Sequence, residues 1–357
     1  MVFKKLFGKG NKSKAPKGFH SLEIEEVKRL TKDTVQVILD IPNELKSTFT
    51  FIPGQYLTFA IDINGTQERR SYSICSGANE PLAVAVKEVA GGKVSTWFNQ
   101  AAAAGMEVFV SEPEGSFIRK SQATNIVAIA AGSGITPILS IAKDINSISG
   151  NMHLLYGNRT NDTIIFKNTL DSLEHVHPHY FLSGESMEGY RSGRISKESL
   201  TEFIKSDLSV LKSDGFFLCG PEQLIVDAVE VLETFGVAKD KIHFELFTTP
   251  VLMKSAPTPT SSFSGTSKVS VFLDDEEINF ELASDGKVIL DMVNSEGYDA
   301  PYSCKGGVCS SCKAKIIEGN VTMKLNYSLT DSEIEEGYIL TCQAQPASET
   351  LKITYDV

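Results

Sequence analysis

The chain is poor in the features that mark membrane, secreted and nucleic-acid-binding proteins. Over 357 residues no apolar run approaches a membrane span, which takes about 20 residues. No export signal is recognisable, so a disulfide-stapled secreted domain is not expected and the cytoplasm is the expected compartment. Histidine is scarce, six in all and none beyond residue 243. Basic residues are outnumbered, 34 Lys and Arg against 45 Asp and Glu, for a net charge of −11. That balance speaks against nucleic acid as a ligand and suits docking on basic protein surfaces. It is uneven: residues 1–18 hold six lysines and no acid, while residues 268–357 hold sixteen acidic against seven basic residues. No internal repeat is present, and the length suggests two or three domains.

Cysteine is also sparse, six residues, yet four of them carry the most specific pattern in the chain. Cys304, Cys309 and Cys312 are spaced C-x4-C-x2-C, and Cys342 follows after a long gap. This is the plant-type spacing for a [2Fe–2S] cluster held by four thiolates. Gly306 and Gly307 allow the backbone to wrap closely around an inorganic core. A structural zinc site would pair two short hooks or add a histidine pair. Here Cys342 stands alone in Leu340-Thr341-Cys342-Gln343 with no histidine nearby.

Residues 1–18 read as a basic tail. Phe3, Leu6 and Phe7 among Lys4, Lys5 and Lys9 fit a short anchor for peripheral membrane contact, but one apolar turn buries little and a solvated tail is the simpler reading. Residues 19–119 are mostly β in pattern, with strands at 35–39, 56–60 and 81–89, a hairpin signal at Asn64-Gly65 and one helix at 94–104. An antiparallel β-barrel is predicted there. Residues 120–247 open on the continuous apolar run Ile126–Ala130 and then alternate. Strands at 152–156, 179–182, 216–219 and 241–246 are separated by helices at 164–175, 196–206 and 221–235. This predicts an α/β domain with a parallel sheet. The Pro, Ser and Thr of 248–267 suggest a linker. Residues 268–357, a hairpin, a helix at 287–296 and the cysteine loop, suit a β-grasp domain.

Two loops carry nucleotide chemistry. Arg70-Ser71-Tyr72-Ser73 supplies a guanidinium fork for phosphate, a flat ring for an isoalloxazine and a hydroxyl for its reactive nitrogen. Gly91-Gly92-Lys93-Val94-Ser95 precedes a helix whose N-terminus can receive pyrophosphate. In the second domain Gly132-Ser133-Gly134-Ile135-Thr136-Pro137 joins strand to helix, with glycines for close approach and a hydroxyl donor. Cys219-Gly220-Pro221 lies at the carboxyl end of a later strand, where ligands of open α/β sheets bind. By residue type Cys219 is a core cysteine; by position its small thiol suits a nicotinamide ring.

In this order, Arg70–Ser73, Gly92–Ser95, Ala131–Pro137 and Cys219–Pro221 resemble the ferredoxin–NADP⁺ reductase superfamily. With the C-terminal cluster domain they resemble the reductases of multicomponent oxygenases. The stretches Tyr302–Gly319 and Gly337–Gln343 look like those of the phenylacetyl-CoA epoxygenase reductases. The resemblance implies FAD, a [2Fe–2S] cluster and NADPH, with NADH also compatible. It implies that Arg70, Tyr72 and Ser73 hold the flavin and that Gly92, Val94 and Ser95 hold its pyrophosphate. Gly132, Gly134, Thr136 and Gly220 would line the nicotinamide nucleotide, with Ser73 and Cys219 at the reacting rings. Glu245 and Phe247 would end the reductase module beside the flavin, and Arg159 and Arg194 would suit a 2′-phosphate.

The expected function is therefore electron transfer. Hydride brings two electrons from a nicotinamide, a cluster accepts one, and a flavin bridges the two. The expected acceptor is a di-iron oxygenase of phenylacetate breakdown. A desaturase, another hydroxylase, a hybrid-cluster protein or a redox-sensing role are the alternatives.

Overall fold

The computed structural model describes residues 15–251 and 263–356. The tail reading therefore lies outside the described residues except at 15–18, and the linker reading except at 248–251 and 263–267.

Alternation of apolar residues builds the first domain. Val35, Val37 and Leu39 turn inward from one strand and meet Leu57, Phe59 and Ile61 of another, as a period-two pattern requires. The strands are β1 (Phe19–Thr31), β2 (Thr34–Asp40), β3 (Tyr56–Ile63), β4 (Thr66–Ser73) and β5 (Ala83–Lys87), followed by α1 (Lys93–Gln100) and β6 (Glu107–Ser111). They pair in the order β4-β3-β6-β1-β2-β5, antiparallel throughout. A bridge from Ile74 to Val84 joins the two edges into a barrel. Two local expectations change. Arg70–Ser73 follows the 56–63 strand and the Asn64-Gly65 turn, not as a loop but as the end of β4, and the helix stops at Gln100 rather than 104.

The second domain continues with β7 (Asn125–Ala131), α2 (Ile135–Ser147), β8 (Asn151–Asn158), α3 (Lys167–Asp171), β9 (Val176–Leu182), β10 (Arg191–Ser192), α4 (Lys197–Ser206), β11 (Gly215–Cys219), α5 (Glu222–Thr234) and β12 (Ile242–Glu245). All six strands are parallel, in the order β10-β9-β8-β7-β11-β12. The order reverses between β7 and β11, the switch point at which such sheets bind ligands. On one sheet face α2 packs against residues of the barrel, among them Cys75, Ala83 and Phe117; α4 and α5 cover the other. Cys75 is a core residue of this seam, its thiol pushed up to about 12 by burial. The helix expected over 164–175 shrinks to five residues. Ile164, Ile165 and Phe166 go into the core instead, with Phe166 left-handed at φ 62.

The third domain comprises β13 (Thr266–Leu273), β14 (Glu276–Ala283), α6 (Ile289–Ser295), β15 (Lys313–Glu318), β16 (Val321–Met323), α7 (Asp331–Glu335), β17 (Tyr338–Leu340), β18 (Ala344–Pro346) and β19 (Thr350–Thr354). Its main sheet runs β14-β13-β19-β15-β17, beside a small β16-β18 pair. Its loop at 302–312 lies against the barrel: Ser71 Oγ donates to Ser303 Oγ at 2.7 Å, and the Tyr56 hydroxyl bonds the Cys309 carbonyl.

Gly54 marks how tightly the barrel packs on its own last segment. It is left-handed at φ 104, and a β-carbon there would lie 2.0 Å from the Phe117 carbonyl oxygen. Gly54→Ala is expected to cost about 2 kcal/mol or more, lowering the melting transition by several degrees. An unchanged melting curve would show that this joint yields freely.

Candidate functional site

Two clefts meet along β4. The first, of about 360 Å³, is lined by Arg70, Tyr72, Ser73, Gly92, Val94, Ser95, Thr136 and Phe247, with Ser71, Ser133 and Thr248 among others. The second, of about 500 Å³, has Arg70, Ser71, Ser73, Glu245 and Phe247 on one side and Ser303, Cys304 and Cys309 on the other. Arg70, Ser71, Ser73, Phe247 and Thr248 belong to both.

The first cleft fits a flavin nucleotide. Tyr72 is fixed edge-on by Phe59 and Phe98, at centroid distances of 5.9 and 5.6 Å, which leaves ring surface for the cleft. Helix α1 begins at Gly92 with no side-chain cap, so its first N–H groups are free for phosphate. Gly92 is required there, since a β-carbon would lie 2.6 Å from Ser95 Oγ. That hydroxyl accepts from Val89 N–H and donates to the Gly92 carbonyl, shaping the turn. A volume of a few hundred Å³ is that of a cofactor site.

Behind Ser73 the second domain closes in. Ser73 Oγ donates to Glu245 Oε2 at 3.2 Å. The Glu245 carboxyl is walled by protein except toward the cleft, and desolvation pushes its pKa up to about 7 against the opposing Ser73 bond. Burial first, and then Glu245, hold the Cys219 thiol well above its ordinary value. Thus Ser73, Cys219 and Glu245, drawn from three different strands, converge. Gly134 packs on the β11 end so closely that a β-carbon would lie 2.1 Å from the Cys219 carbonyl oxygen. Gly132 and Gly220 flank the same switch point. Helix α2 also starts without a side-chain cap, a further anion-receptive terminus. Arg159 and Arg194 line neither cleft. They follow β8 and β10, exposed on the same carboxyl edge of the sheet.

The four C-terminal thiols converge as two pairs. Cys309 hydrogen-bonds Cys304, which lowers the Cys304 pKa and raises that of Cys309. Cys312 and Cys342 are coupled in the same way, with Cys312 raised and Cys342 lowered. Sulfur also receives N–H groups, from Gly306 to Cys304 at 3.3 Å and from Cys304 to Cys309 at 3.4 Å. Among the described residues no three His, Cys, Asp or Glu side chains gather around one point as a single ion needs. Two thiol pairs suit two irons bridged by sulfide, not a tetrahedral zinc.

Several contacts were not foreseen from sequence. Ser71 links the barrel to the cysteine loop, Tyr56 reaches Ser311 Oγ at 3.1 Å, and Thr249 lies over Gly306. Each joins segments far apart in the sequence, which no spacing motif records.

What these adjoining clefts share is redox chemistry: the molecule is a flavin- and iron–sulfur-dependent reductase. Family models match an oxidoreductase FAD-binding domain at residues 21–118, an oxidoreductase NAD-binding domain at 128–230 and a 2Fe-2S iron-sulfur cluster binding domain at 271–347. The chain belongs to the reductase components of oxygenases that join these three domains. It is 35% identical over 350 residues to a component of the 1,2-phenylacetyl-CoA epoxidase of Escherichia coli (strain K12), covering 95% of this chain and 98% of that one. It is 32% identical over 354 residues to the ferredoxin reductase component of the 3-ketosteroid-9-alpha-monooxygenase of Mycolicibacterium smegmatis, covering 96% and 99%. Phthalate dioxygenase reductase shares the fold at a TM-score of 0.60 and 24% identity, over 94% of this chain and 98% of that structure. An intact type IV self-sufficient cytochrome P450 monooxygenase shares it at 0.70 and 22%, over 94% of this chain but 41% of that longer one.

Cys309→Ser is expected to abolish the visible bands of the cluster and cytochrome c reduction while NADPH still bleaches the flavin; surviving bands would remove Cys309 from the ligand set. The raised pKa of Glu245 predicts a pH dependence as well. The stability it lends the apoprotein is complete below about pH 4.5 and is lost as pH rises through about 7. Thermal melts of Glu245→Gln should lack that decline; a decline equal to that of the native chain would assign it elsewhere.

Proposed function

We propose that this reductase takes hydride from NADPH and supplies single electrons to a di-iron oxygenase, of which a phenylacetyl-CoA epoxidase is the favoured example. The observation that carries the reading is the continuity of the two clefts through Arg70, Ser71, Ser73, Phe247 and Thr248. It brings the flavin wall and the cysteine loop into one space, as short-range electron transfer demands. The bound cofactors supply hydride acceptance and one-electron exchange.

The chain's own residues do the positioning. Arg70 and the uncapped start of α1 bind phosphate, Tyr72 offers its ring, and Ser73 presents a hydroxyl held by Glu245. Gly132, Gly134, Thr136 and Gly220 admit the nicotinamide half, whose ring meets the small thiol of Cys219. Glu245, with a pKa near neutrality, can hold or release a proton at the Ser73 hydroxyl. Arg159 and Arg194, exposed at the sheet edge, are the groups suited to a 2′-phosphate and favour NADPH over NADH. Cys304, Cys309, Cys312 and Cys342 hold the cluster. Full-length similarity to the epoxidase component of Escherichia coli supports the acceptor, while the ketosteroid relative makes a different oxygenase the second reading. Among the described residues no helix is long and apolar enough to cross a membrane.

Anaerobic titration with NADPH should take up about three electrons per chain, two at the flavin and one at the cluster. Flavin bleaching alone would reduce the protein to a diaphorase. Reconstitution with a phenylacetyl-CoA epoxidase should then give NADPH-dependent epoxidation, and electron delivery only to another oxygenase would reassign the acceptor.

A further inference from the structure

The cysteine-bearing domain is fixed to the barrel by one buried charge. The Arg69 side chain is only 3% exposed, and its Nη2 donates to both oxygens of Asp299, at 2.6 and 2.8 Å. Its guanidinium lies between the rings of Phe19 and Tyr302, 5.0 and 4.7 Å from their centroids. The Lys17 backbone N–H adds a bond to Asp299 at 3.3 Å, and Lys17 Nζ pairs with Asp274 at 2.6 Å. Tyr302 is two residues from Cys304, so the guanidinium bears directly on the start of the cluster loop.

Other polar contacts across this seam join Ser71 to Ser303 and Tyr56 to Cys309 and Ser311, and the Glu114 carboxyl of the barrel also bonds Ser311. Arg69 stands out among them because its guanidinium is buried, and a buried cation left without its carboxylate is costlier than a lost neutral hydrogen bond. The seam also covers the loop. Gly306 and Gly307 are buried, and a β-carbon on Gly306 would meet Thr249 Oγ1 at 2.0 Å. Behind the thiols lies the domain's own core, including Leu290, Val293, Leu340 and Ala344. Cys304 and Cys309 are thus turned to the second cleft, which they line, while Cys312 and Cys342 back onto the domain core.

We propose that Arg69 and Asp299 form a clasp that holds the cluster loop at the flavin cleft, and that its release presents the same loop to the oxygenase. Loading and delivery then exclude each other, and both residues act as positioning residues. The inference rests on the electron path proposed above. NADPH-driven bleaching of the cluster in the native holoenzyme tests that path independently of any variant.

The test compares native, Asp299→Asn and Asp299→Glu full-length holoenzymes. Anaerobic stopped-flow mixing with NADPH should show flavin bleaching unchanged in all three. Cluster bleaching in Asp299→Asn should slow several-fold, as expected when a buried arginine at an interface loses the charge of a half-exposed carboxylate partner. Asp299→Glu, which keeps the carboxylate, should recover most of that rate. Small-angle X-ray scattering should give a larger radius of gyration for Asp299→Asn, while the electron paramagnetic resonance of its dithionite-reduced cluster stays native. Native-speed cluster bleaching, an unchanged radius, or slowing accompanied by loss of the cluster signal would each overturn the clasp.

Discussion

One strand, β4, is the wall that both clefts share, and the rest of the site depends on its being held in place. Paired along its whole length with β3 and closed onto β5 through the Ile74–Val84 bridge, it cannot shift without opening the barrel. Side-chain alternation does the sorting. Arg69 is buried toward the cysteine-bearing domain, Arg70 reaches the clefts, and Ser73 turns inward to Glu245. A slip of one residue would exchange these assignments and separate flavin wall from cysteine loop.

The electrostatics follow from the same enclosure. Glu245 and Cys219 sit where two domains exclude water, so both keep their protons more tightly than exposed groups would. The four cluster thiols behave differently: within each pair the hydrogen bond between the sulfurs lowers the pKa of one and raises that of its partner.

Legibility in the sequence tracked how local each feature is. The cysteine spacing, the Gly-x-Gly turn after an apolar strand and Arg70–Ser73 are short-range patterns, and each landed in or beside a cleft. The parallel sheet was readable because Ile126–Ala130 is buried on both faces and therefore apolar throughout. Failures occurred where tertiary burial overrode periodicity. Ile164–Phe166 looks helical but serves as core, and the long strand β1, rich in glutamate, lacks a continuous apolar signal. Contacts between domains, such as Tyr56 with Cys309 or Arg69 with Asp299, were not legible, because partners more than two hundred residues apart share no spacing rule.

The cover that Thr249 lays over Gly306 also bears on how the protein matures. Iron and sulfide must reach such a loop from outside, and Thr249 narrows the approach over Gly306 while Cys304 and Cys309 stay only half-buried. Filling the loop is therefore expected to be easiest while the cysteine-bearing domain stands away from the barrel.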